Sequence, residues 1–297
     1  MLMTQLTSSP LVGLHFRKMN GLGNDFVVLD GRINPIRVTP EEARAIANRD
    51  TGIGFDQLVI LEPSQFGDVF MRILNADGSE AGACGNATRC VARLIMDETS
   101  KDDAVIETVS GFLAARDAGA WNQVTVDMGE PRLHSHHIPL SQAFEDTSAV
   151  PIDAKVFAPF LPPTFSAVNM GNPHAVFFVD HIERHDLRRI GHIIEHHRLF
   201  PQRVNVSLAK IESPISVKLQ VWERGVGLTR ACGTAACATL VAGVRAGLTS
   251  RQATIKLPGG ALSIYWRPDG HVMMTGAIEL EYEGELSAKI FAGEATA

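Results

Sequence analysis

The sequence predicts an α/β protein built from two similar, pseudo-symmetric domains, and two observations support this prediction. Short strand patterns alternate with a few helical patterns along the whole 297-residue chain. In addition, the second half of the chain matches the first at a constant offset of 148 residues, the separation of Cys84 and Cys232. Solenoid repeats have much shorter periods. We therefore expect a duplicated domain.

The matching positions carry similar residues in similar settings. In each half a Gly-Asn pair precedes a strand, an amide lies beside a further strand, and a Cys-Gly pair begins a helix. The paired positions are Asn24 and Asn172, Gln57 and Asn205, Asn75 and Glu223, and Cys84 and Cys232. Chance matching of small and amide residues is the alternative. We place residues 1–135 in an N-terminal half-domain and residues 136–297 in a C-terminal half-domain.

Start signals and apolar spacing locate the helices. Thr39-Pro40-Glu41-Glu42 is a capping-box pattern with proline at the first helical position, so a helix is expected to follow. Apolar residues at helical spacing predict further helices at residues 85–97, 182–198 and 233–246. Residues 131–163 are rich in proline and contain clustered histidines, which makes this segment the best candidate for a linker.

The composition disfavours several classes of function. Lys and Arg number 27 against 33 Asp and Glu, and a net charge of −6 gives no reason to expect nucleic acid or an anionic membrane as partner. The first residues lack a basic segment and a long apolar run, so we predict no signal peptide. Four cysteines in a chain this long are not a disulfide framework. We expect a cytoplasmic protein with reduced thiols.

Cys84 and Cys232 stand where a reactive thiol is expected. Each precedes a predicted helix, in the sequences ACGNATRC and ACGTAAC. The first turn of a helix presents unpaired N–H groups and the positive end of the dipole, which stabilise an anion. A thiol pKa of about 8.5 can therefore fall towards neutrality. The same N–H groups can bind a carboxylate, and the glycine beside each cysteine lets a ligand approach the backbone.

If the two domains face each other, both helix starts point into one cleft. The α-carbon of a bound amino acid then lies between two sulfur atoms. One thiolate removes the α-proton and the opposing thiol protonates the other face, which inverts the centre. Because an α-hydrogen is a very weak acid, the helix ends must stabilise the developing enediolate strongly. This predicts an amino-acid epimerase with its active site in the cleft between the domains.

Other interpretations of the cysteines are open. Reduced cysteines are commonly small buried hydrophobic residues, and we favour this interpretation for Cys90 and Cys237, which lie inside predicted helices. A zinc site is disfavoured because C-x5-C and C-x4-C lack the usual short spacing. A redox pair would cycle through a disulfide, whereas we expect a disulfide between Cys84 and Cys232 to inactivate the protein.

Two groups of histidines have spacings that also occur in metal sites. His192 and His196 lie four residues apart on a predicted helix, and His134, His136 and His137 are clustered in the predicted linker. In both groups a solvated surface is the favoured interpretation. We therefore predict no metal ligands.

Five longer motifs resemble those of the diaminopimelate epimerases. They are MNGLGNDFVVLD at residues 19–30, GIGFDQ at 52–57, NADGSEAGACGNATRC at 75–90, GNPHAVF at 171–177 and ERGVGLTRACGTAACA at 223–238. The motifs are long, follow the family's order and cover both halves, so the resemblance is specific. Ala87, Thr88 and Ala235 depart from the family's frequent CGNGARC and CGTGAC. They fall after the helix starts, so we expect slight repacking and retained activity.

The resemblance implies both a fold and an activity. The fold is a pair of α/β domains, each a mostly antiparallel sheet wrapped around a central helix, with a last strand that often returns to the first domain. The activity is interconversion of LL- and meso-diaminopimelate without pyridoxal phosphate or any other cofactor, in the synthesis of lysine and peptidoglycan precursors. A small-molecule substrate and a homodimer are the implied partners.

The resemblance also implies a role for each matching position. Cys84 and Cys232 match the catalytic cysteines, and His174 is expected near the reacting centre. The positions that match substrate-binding groups are Asn24, Gln57, Asn75, Gly85, Asn86, Asn172, Asn205, Glu223, Arg224, Gly233 and Thr234. Those that begin the two helices are expected to hold the α-carboxylate. Arg224 suits a carboxylate through its bidentate fork, and Glu223 suits an ammonium group.

These roles have plainer alternatives. Asn24 and Asn172 can simply form turns, and Glu223 with Arg224 can be an exposed ion pair of little energetic value. A relative acting on proline or hydroxyproline would use the same opposed cysteines. The second ammonium and carboxylate of diaminopimelate need extra polar partners, which Arg224, Asn75 and Asn205 can supply.

Overall fold

The computed structural model describes residues 9–82, 84–153 and 161–292. Ala83 of the first cysteine motif and residues 154–160 of the predicted linker lie outside the described residues. The chain divides into two compact units. Among the described residues, those up to Val124 and those from Ile278 onward form the first unit, and those between Thr125 and Ala277 form the second. The predicted boundary at residues 135 and 136 falls inside the second unit, while the C-terminal segment belongs to the first.

Strands make up most of the regular structure. In chain order the elements are β1 (His15–Gly21), β2 (Asn24–Asp30), α1 (Pro40–Ala47), β3 (Gln57–Glu62), β4 (Val69–Asn75), β5 (Glu80–Ala81), α2 (Gly85–Thr99), β6 (Asp103–Thr108), β7 (Gly111–Asp117), β8 (Gln123–Asp127), β9 (Val150–Pro151), β10 (Thr164–Asn169), β11 (Pro173–Phe178), α3 (Leu187–Glu195), β12 (Asn205–Ser213), β13 (Ser216–Glu223), β14 (Gly227–Thr229), α4 (Gly233–Arg245), β15 (Gln252–Leu257), β16 (Gly260–Trp266), β17 (Val272–Ala277) and β18 (Glu279–Glu285), with short 3-10 turns at Ser135–His137, Ile182–Arg184 and Ala288–Phe291. Within the described chain, none of the helices has the length and apolar content needed to cross a bilayer.

The two units repeat one pattern of strand pairing. In the first unit β1 and β2 are antiparallel, β2 and β3 parallel, β3 and β4 antiparallel, and β4 and β6 parallel. In the second unit β10, β11, β12, β13 and β15 follow with the same alternation. The registers correspond as well, because Phe26 lies opposite Gln57 and His174 lies opposite Asn205. The predicted α/β class is confirmed, and the pairings repeat as the duplicated sequence predicts.

One helix is buried inside each unit. In α2 every residue from Gly85 to Met96 is buried, and the helix packs against β1, β4, β6 and β7. Most of α4 is buried as well, and it packs against β10, β11, β12, β15, β16 and β17. A helix that is enclosed on all sides needs small or apolar residues all round, and the Ala, Leu, Val and Gly residues of α4 meet this need. Each unit is therefore a sheet around a central helix.

The helix predicted after Thr39 forms as α1. The Thr39 hydroxyl accepts a hydrogen bond from Glu42 N at 3.2 Å, and Glu42 Oε2 accepts one from Thr39 N at 2.9 Å. This capping box satisfies two backbone donors that the start of a helix leaves unpaired. The helix then buries Ala43 and Ile46, and Ile46 lies in the hydrophobic core of the first unit.

Residues 182–198 do not form the single helix that was predicted. Ile182–Arg184 is a 3-10 turn, and α3 begins only at Leu187. The Asp186 carboxylate accepts a hydrogen bond from Arg188 N at 3.2 Å, so Asp186 caps the helix and fixes its start. The helix ends at Glu195, and the chain then buries Leu199 and Phe200 in the core of the second unit.

The described part of residues 131–163 is not a linker, so that prediction is wrong. Ile138, Val150, Ile152 and Leu161 are all buried in the hydrophobic core of the second unit. Their spacing is irregular and they stand among prolines, so no helical or strand period marks them as core residues. The described part of the segment packs into the core, and its regular structure is limited to the 3-10 turn Ser135–His137 and the short strand β9.

Candidate active site

Cys84 and Cys232 occupy equivalent backbone positions. Cys84 immediately precedes α2 with φ −146° and ψ 110°, and Cys232 immediately precedes α4 with φ −140° and ψ 109°. Gly85 and Gly233 are the first residues of the two helices. Each sulfur therefore lies at the positive end of a buried helix, beside the unpaired N–H groups of its first turn. Cys84 is half-buried, whereas Cys232 is only 5% exposed.

The Asn24 amide is oriented towards the Cys84 thiol. Cys84 Sγ donates to Asn24 Oδ1 at 3.7 Å, and Asn86 Nδ2 donates to the same oxygen at 3.2 Å. Asn24 Nδ2 donates in turn to Asp56 Oδ2 at 3.0 Å. Because a carboxylate can only accept, it holds the NH2 end of Asn24 and leaves the carbonyl oxygen to the thiol. The structure thus brings three predicted site residues, Asn24, Cys84 and Asn86, together.

Asp56 belongs to an ion-pair network that was not predicted. Arg49 Nη2 donates to Asp56 Oδ1 at 2.8 Å and to Asp25 Oδ1 at 2.9 Å, and the buried Lys18 donates to Asp25 Oδ2 at 2.6 Å. Burial acts to raise the pKa of Asp25, but the hydrogen bonds from Arg49 and Lys18 outweigh it and hold that pKa well below its usual range. The sequence signal for Asp56 was its place directly before Gln57 in the GIGFDQ motif.

Gln57 and Asn75 face each other on neighbouring antiparallel strands. Gln57 Nε2 donates to Asn75 Oδ1 at 3.3 Å, and Asn75 Nδ2 donates to Ser79 Oγ at 3.0 Å. Gln57 Oε1 is buried and has no hydrogen-bond partner among the residues that the structure describes. Native proteins seldom leave such an acceptor unsatisfied unless water or a ligand reaches it. Gln57 Oε1 is therefore a candidate acceptor for a ligand N–H group.

The Cys232 thiol lies in an environment that opposes ionisation. Burial raises its pKa well above the usual value, and the negative charge of Glu223 raises it further. The Thr234 hydroxyl, 3.5 Å from Sγ, and the backbone N–H of Ala235 act in the opposite direction. The fall in pKa that a helix start can produce is therefore not found for Cys232 in this structure. The helix start stabilises the thiolate as predicted, but desolvation and the carboxylate outweigh it.

The turn after β13 carries Glu223 and Arg224. Glu223 Oε1 accepts a hydrogen bond from Thr229 Oγ1 at 2.6 Å, a partner that sequence reasoning missed. The Arg224 side chain is exposed, and its Nη1 donates to Gln202 O at 3.1 Å. A guanidinium has five N–H donors, so Arg224 can bind a carboxylate while it keeps this bond.

Asn205 connects two of the motif segments. Its Nδ2 donates to Pro173 O at 2.9 Å, and its Oδ1 accepts from Arg224 N at 2.9 Å. The residue is only 3% exposed. Both ends of the amide are thus used inside the second unit, where Asn205 ties the GNPH segment to the turn that carries Arg224.

His174 contacts Asn172 from a fully buried position. Its Nε2 donates to Asn172 Oδ1 at 2.8 Å. Burial, assisted by the positive charge of Arg224, lowers the pKa of His174 to about 3, so the ring is neutral at physiological pH. The Nδ1 atom is buried and has no hydrogen-bond partner within the described residues. The structure therefore brings His174 to the Asn172 amide, whose orientation it fixes.

The remaining cysteines and clustered histidines lie in settings that fit the plainer interpretations. Cys90 and Cys237 are fully buried in α2 and α4, and burial raises the pKa of Cys90 to about 12. In the 3-10 turn region, His134, His136 and His137 are exposed and lie against one another.

His192, Glu195 and His196 are arranged in a way that could hold a metal ion. Their ligand atoms lie within 4.8 Å of one another, and both histidines are exposed. The buried Glu195, however, already accepts hydrogen bonds on both carboxylate oxygens, from Trp222 Nε1 and from Gly225 N. Glu195 was not predicted as a site residue, and its place between two histidines gave no signal for these contacts.

Solved structures share the fold at low sequence identity. A hydroxyproline epimerase from Agrobacterium vitis superposes with a TM-score of 0.63 at 13% identity, over 94% of each chain. A phenazine biosynthesis protein from Bacillus anthracis gives a TM-score of 0.66 at 14% identity, over 93% of this chain and 98% of that one. These likenesses show the fold alone.

Sequence comparisons identify the family. The diaminopimelate epimerase profile matches residues 16–134 and 166–281. The diaminopimelate epimerase of Rhodospirillum centenum is 53% identical over 280 residues, which cover 94% of each chain. That of Phenylobacterium zucineum is 50% identical over 278 residues, which cover 94% of this chain and 99% of the relative. The chain therefore belongs to the diaminopimelate epimerase family.

Proposed function

We propose that this protein interconverts LL- and meso-diaminopimelate through proton transfers by Cys84 and Cys232, without a cofactor. The observation that carries the proposal is the equivalence of the two cysteines, each of which immediately precedes a buried helix with nearly the same φ and ψ. Family membership supports the substrate, because the similar proteins are named for this activity. The reaction belongs to the synthesis of lysine and peptidoglycan precursors.

The proposed reaction uses one thiolate and one thiol. The thiolate takes the α-proton, and the electron pair of the broken C–H bond delocalises into the substrate carboxylate. The thiol then gives its proton to the opposite face of the α-carbon, so the centre inverts and the two cysteines exchange protonation states. N–H groups at the helix starts stabilise the enediolate charge. Because its surroundings favour the thiol, we assign Cys232 as the proton donor in the resting protein.

The polar side chains divide into binding and supporting groups. We propose that one group of polar side chains binds the substrate directly: Asn24, Gln57, Asn75, Asn86, Asn172, Glu223, Arg224 and Thr234, together with the backbone at Gly85 and Gly233. Gln57 has the clearest structural support for direct binding, since its Oε1 is a buried acceptor that an ammonium N–H would satisfy. Asn205 and His174 are buried, and we propose that they hold Arg224 and Asn172 in place.

We also propose that the protein is a cytoplasmic homodimer, as the family resemblance implies. Light scattering on the purified full chain measures the mass in solution directly. A single species at twice the mass of 32.2 kDa supports the dimer, and a species at the monomer mass contradicts it.

Proton exchange at the α-carbon tests the proposed activity. LL-Diaminopimelate is incubated with the protein and a reductant in deuterated water and followed by proton NMR. We expect the α-proton signal to decline as the meso isomer appears. If diaminopimelate stays unchanged while proline or hydroxyproline exchanges, the proposed substrate is wrong. If none of the three exchanges, the epimerase proposal is wrong.

A further inference from the structure

Glu195 is a buried carboxylate that lies beside the proposed substrate-binding turn but takes no part in the mechanism described above. It is the last residue of α3 and only 2% exposed. Burial of a carboxylate is unfavourable unless its oxygens are well satisfied. Its contacts therefore indicate what this residue does.

The two oxygens of Glu195 bind the two ends of one short segment. Oε2 accepts from Trp222 Nε1 at 2.7 Å, and Oε1 accepts from Gly225 N at 2.9 Å. Glu223 and Arg224 are the two residues between these donors. One rigid planar group thus fixes both ends of the segment that carries them, and we call residues 222–225 the Glu195-bound turn.

From these contacts we propose that Glu195 is a positioning residue for substrate binding, which it serves by holding Glu223 and Arg224 in their binding geometry. This inference rests on the proposed function, in which those two side chains contact the substrate. Glu195 itself touches neither the substrate nor the reacting atoms. Its effect passes through the backbone of the Glu195-bound turn.

The packing around Trp222 supports the assignment. A β-carbon added at Gly191, one helical turn before Glu195, would lie 2.5 Å from Trp222 Cγ. The indole therefore lies directly on the α3 backbone, which leaves its N–H aimed at the carboxylate. Arg203 Nη1, 3.8 Å from Oε1, gives further compensation for the buried charge. The turn is thus fixed by the packing of the Trp222 ring against α3 and by two charge-assisted hydrogen bonds to Glu195.

The same contacts make a metal role for Glu195 the weaker interpretation. Both oxygens already have N–H donors, and His192 and His196 are exposed. A metal ion would have to share a carboxylate that the turn already occupies. We therefore assign Glu195 to the turn.

Glu195→Gln is the decisive variant, because it keeps the size of the side chain. The two N–H donors, Trp222 Nε1 and Gly225 N, contact different oxygens of Glu195. In glutamine one of these oxygens becomes an NH2 group, so one of the two donors would face another donor. Trp222→Phe removes one of the two hydrogen bonds and leaves the Glu195 side chain unchanged. Glu212→Gln is the matched control, since Glu212 is a carboxylate of the same unit that accepts from Lys256 and Ser216, away from the turn.

Kinetic constants for LL-diaminopimelate and thermal unfolding are measured for the full-length wild type and the three variants. We expect Glu195→Gln to raise KM at least tenfold while kcat falls less than threefold, because binding side chains are displaced and the thiols are not. Trp222→Phe should raise KM by a smaller factor, and Glu212→Gln should leave KM within twofold. A KM within twofold of wild type for folded Glu195→Gln protein overturns the proposal. If that variant does not fold, an unchanged KM for Trp222→Phe overturns it.

Hydrogen exchange separates this inference from the proposed function. If the wild type does not turn over diaminopimelate, the proposed function is wrong. The role of Glu195 in the turn can still be tested by hydrogen exchange at the Trp222 indole N–H and the Gly225 amide. At least one of the two should exchange tenfold faster in Glu195→Gln than in wild type. Unchanged exchange at both groups shows that Glu195 does not hold the turn.

Discussion

Replacing Asn205 by Asp exchanges one buried amide nitrogen for an oxygen. Arg224 N keeps its acceptor, but Pro173 O, 2.9 Å from the replaced nitrogen, loses its donor and faces a carboxyl group. A buried polar group left without its partner costs about 1–3 kcal/mol. Because the site is only 3% exposed, burial and the carbonyl oxygen should raise the pKa of the new carboxyl group above its unfolded value of about 4.

The pH dependence of this variant follows from linkage. When protonated, the carboxyl group can donate to Pro173 O and restore the lost bond. Between the unfolded and the folded pKa, the unfolded chain has released this proton and the folded protein has not. Stability therefore falls as pH rises, by about 1.4 kcal/mol per pH unit relative to wild type. Between pH 5 and pH 7 the deficit should grow by up to about 3 kcal/mol.

Urea denaturation of wild type and Asn205→Asp at pH 5, 6 and 7 measures this difference. Titration of other groups cancels in the comparison of the two proteins. Asn122→Asp, at an exposed position, is the control and should show no comparable trend. A deficit for Asn205→Asp that stays constant across the three pH values refutes the reasoning, because it means that the new carboxyl group is not buried against Pro173 O.

Three further predictions rest on single contacts. His174 stays neutral when folded down to a pH of about 3, whereas an unfolded histidine binds a proton below about 6.5. Stability should therefore fall as pH drops from 6.5, by about 1.4 kcal/mol per unit, and His174→Asn should reduce this slope in urea denaturation. Glu223→Gln removes a negative charge beside Cys232, so alkylation of Cys232 by iodoacetamide, followed by mass spectrometry, should reach half-maximal rate at lower pH; an unshifted midpoint contradicts this. Gly191→Ala should cost about 1–3 kcal/mol in thermal unfolding, since the added carbon meets the Trp222 ring, and an unchanged melting temperature contradicts that packing.

The parts of the fold that depend on local signals were predictable. The capping box at Thr39 and the Cys-Gly pairs before α2 and α4 each consist of a few adjacent residues. All three helices begin at these signals. Repetition of the sequence doubled the signal for α2 and α4. By contrast, burial of Ile138 and Ile152 depends on contacts with the rest of the second unit, and the spacing of hydrophobic residues around them does not predict it. Proline content alone was therefore a poor guide to a linker.

The candidate site shows the same division. Asn24 and Cys84 are 60 positions apart in the chain, yet both stand in long motifs, and the structure joins them by a hydrogen bond. Asp56 and Glu195 were missed because their role depends on hydrogen bonds to residues distant in the sequence, Asn24 and Trp222 respectively. The sequence shows the helix start that can lower the pKa of Cys232, but it does not show the depth of burial that raises this pKa.

The measurement that tests the central claim most directly is turnover of LL-diaminopimelate by Cys84→Ser and Cys232→Ser proteins under reducing conditions. A positioned acid or base typically contributes a factor of about 10²–10⁴, so each variant should lose at least about 100-fold in kcat while it stays folded. Cys90→Ala and Cys237→Ala, at buried positions inside the same two helices, should keep activity in proportion to their folded fraction. If either Cys84→Ser or Cys232→Ser retains more than about a tenth of wild-type kcat, the two-thiol mechanism is contradicted.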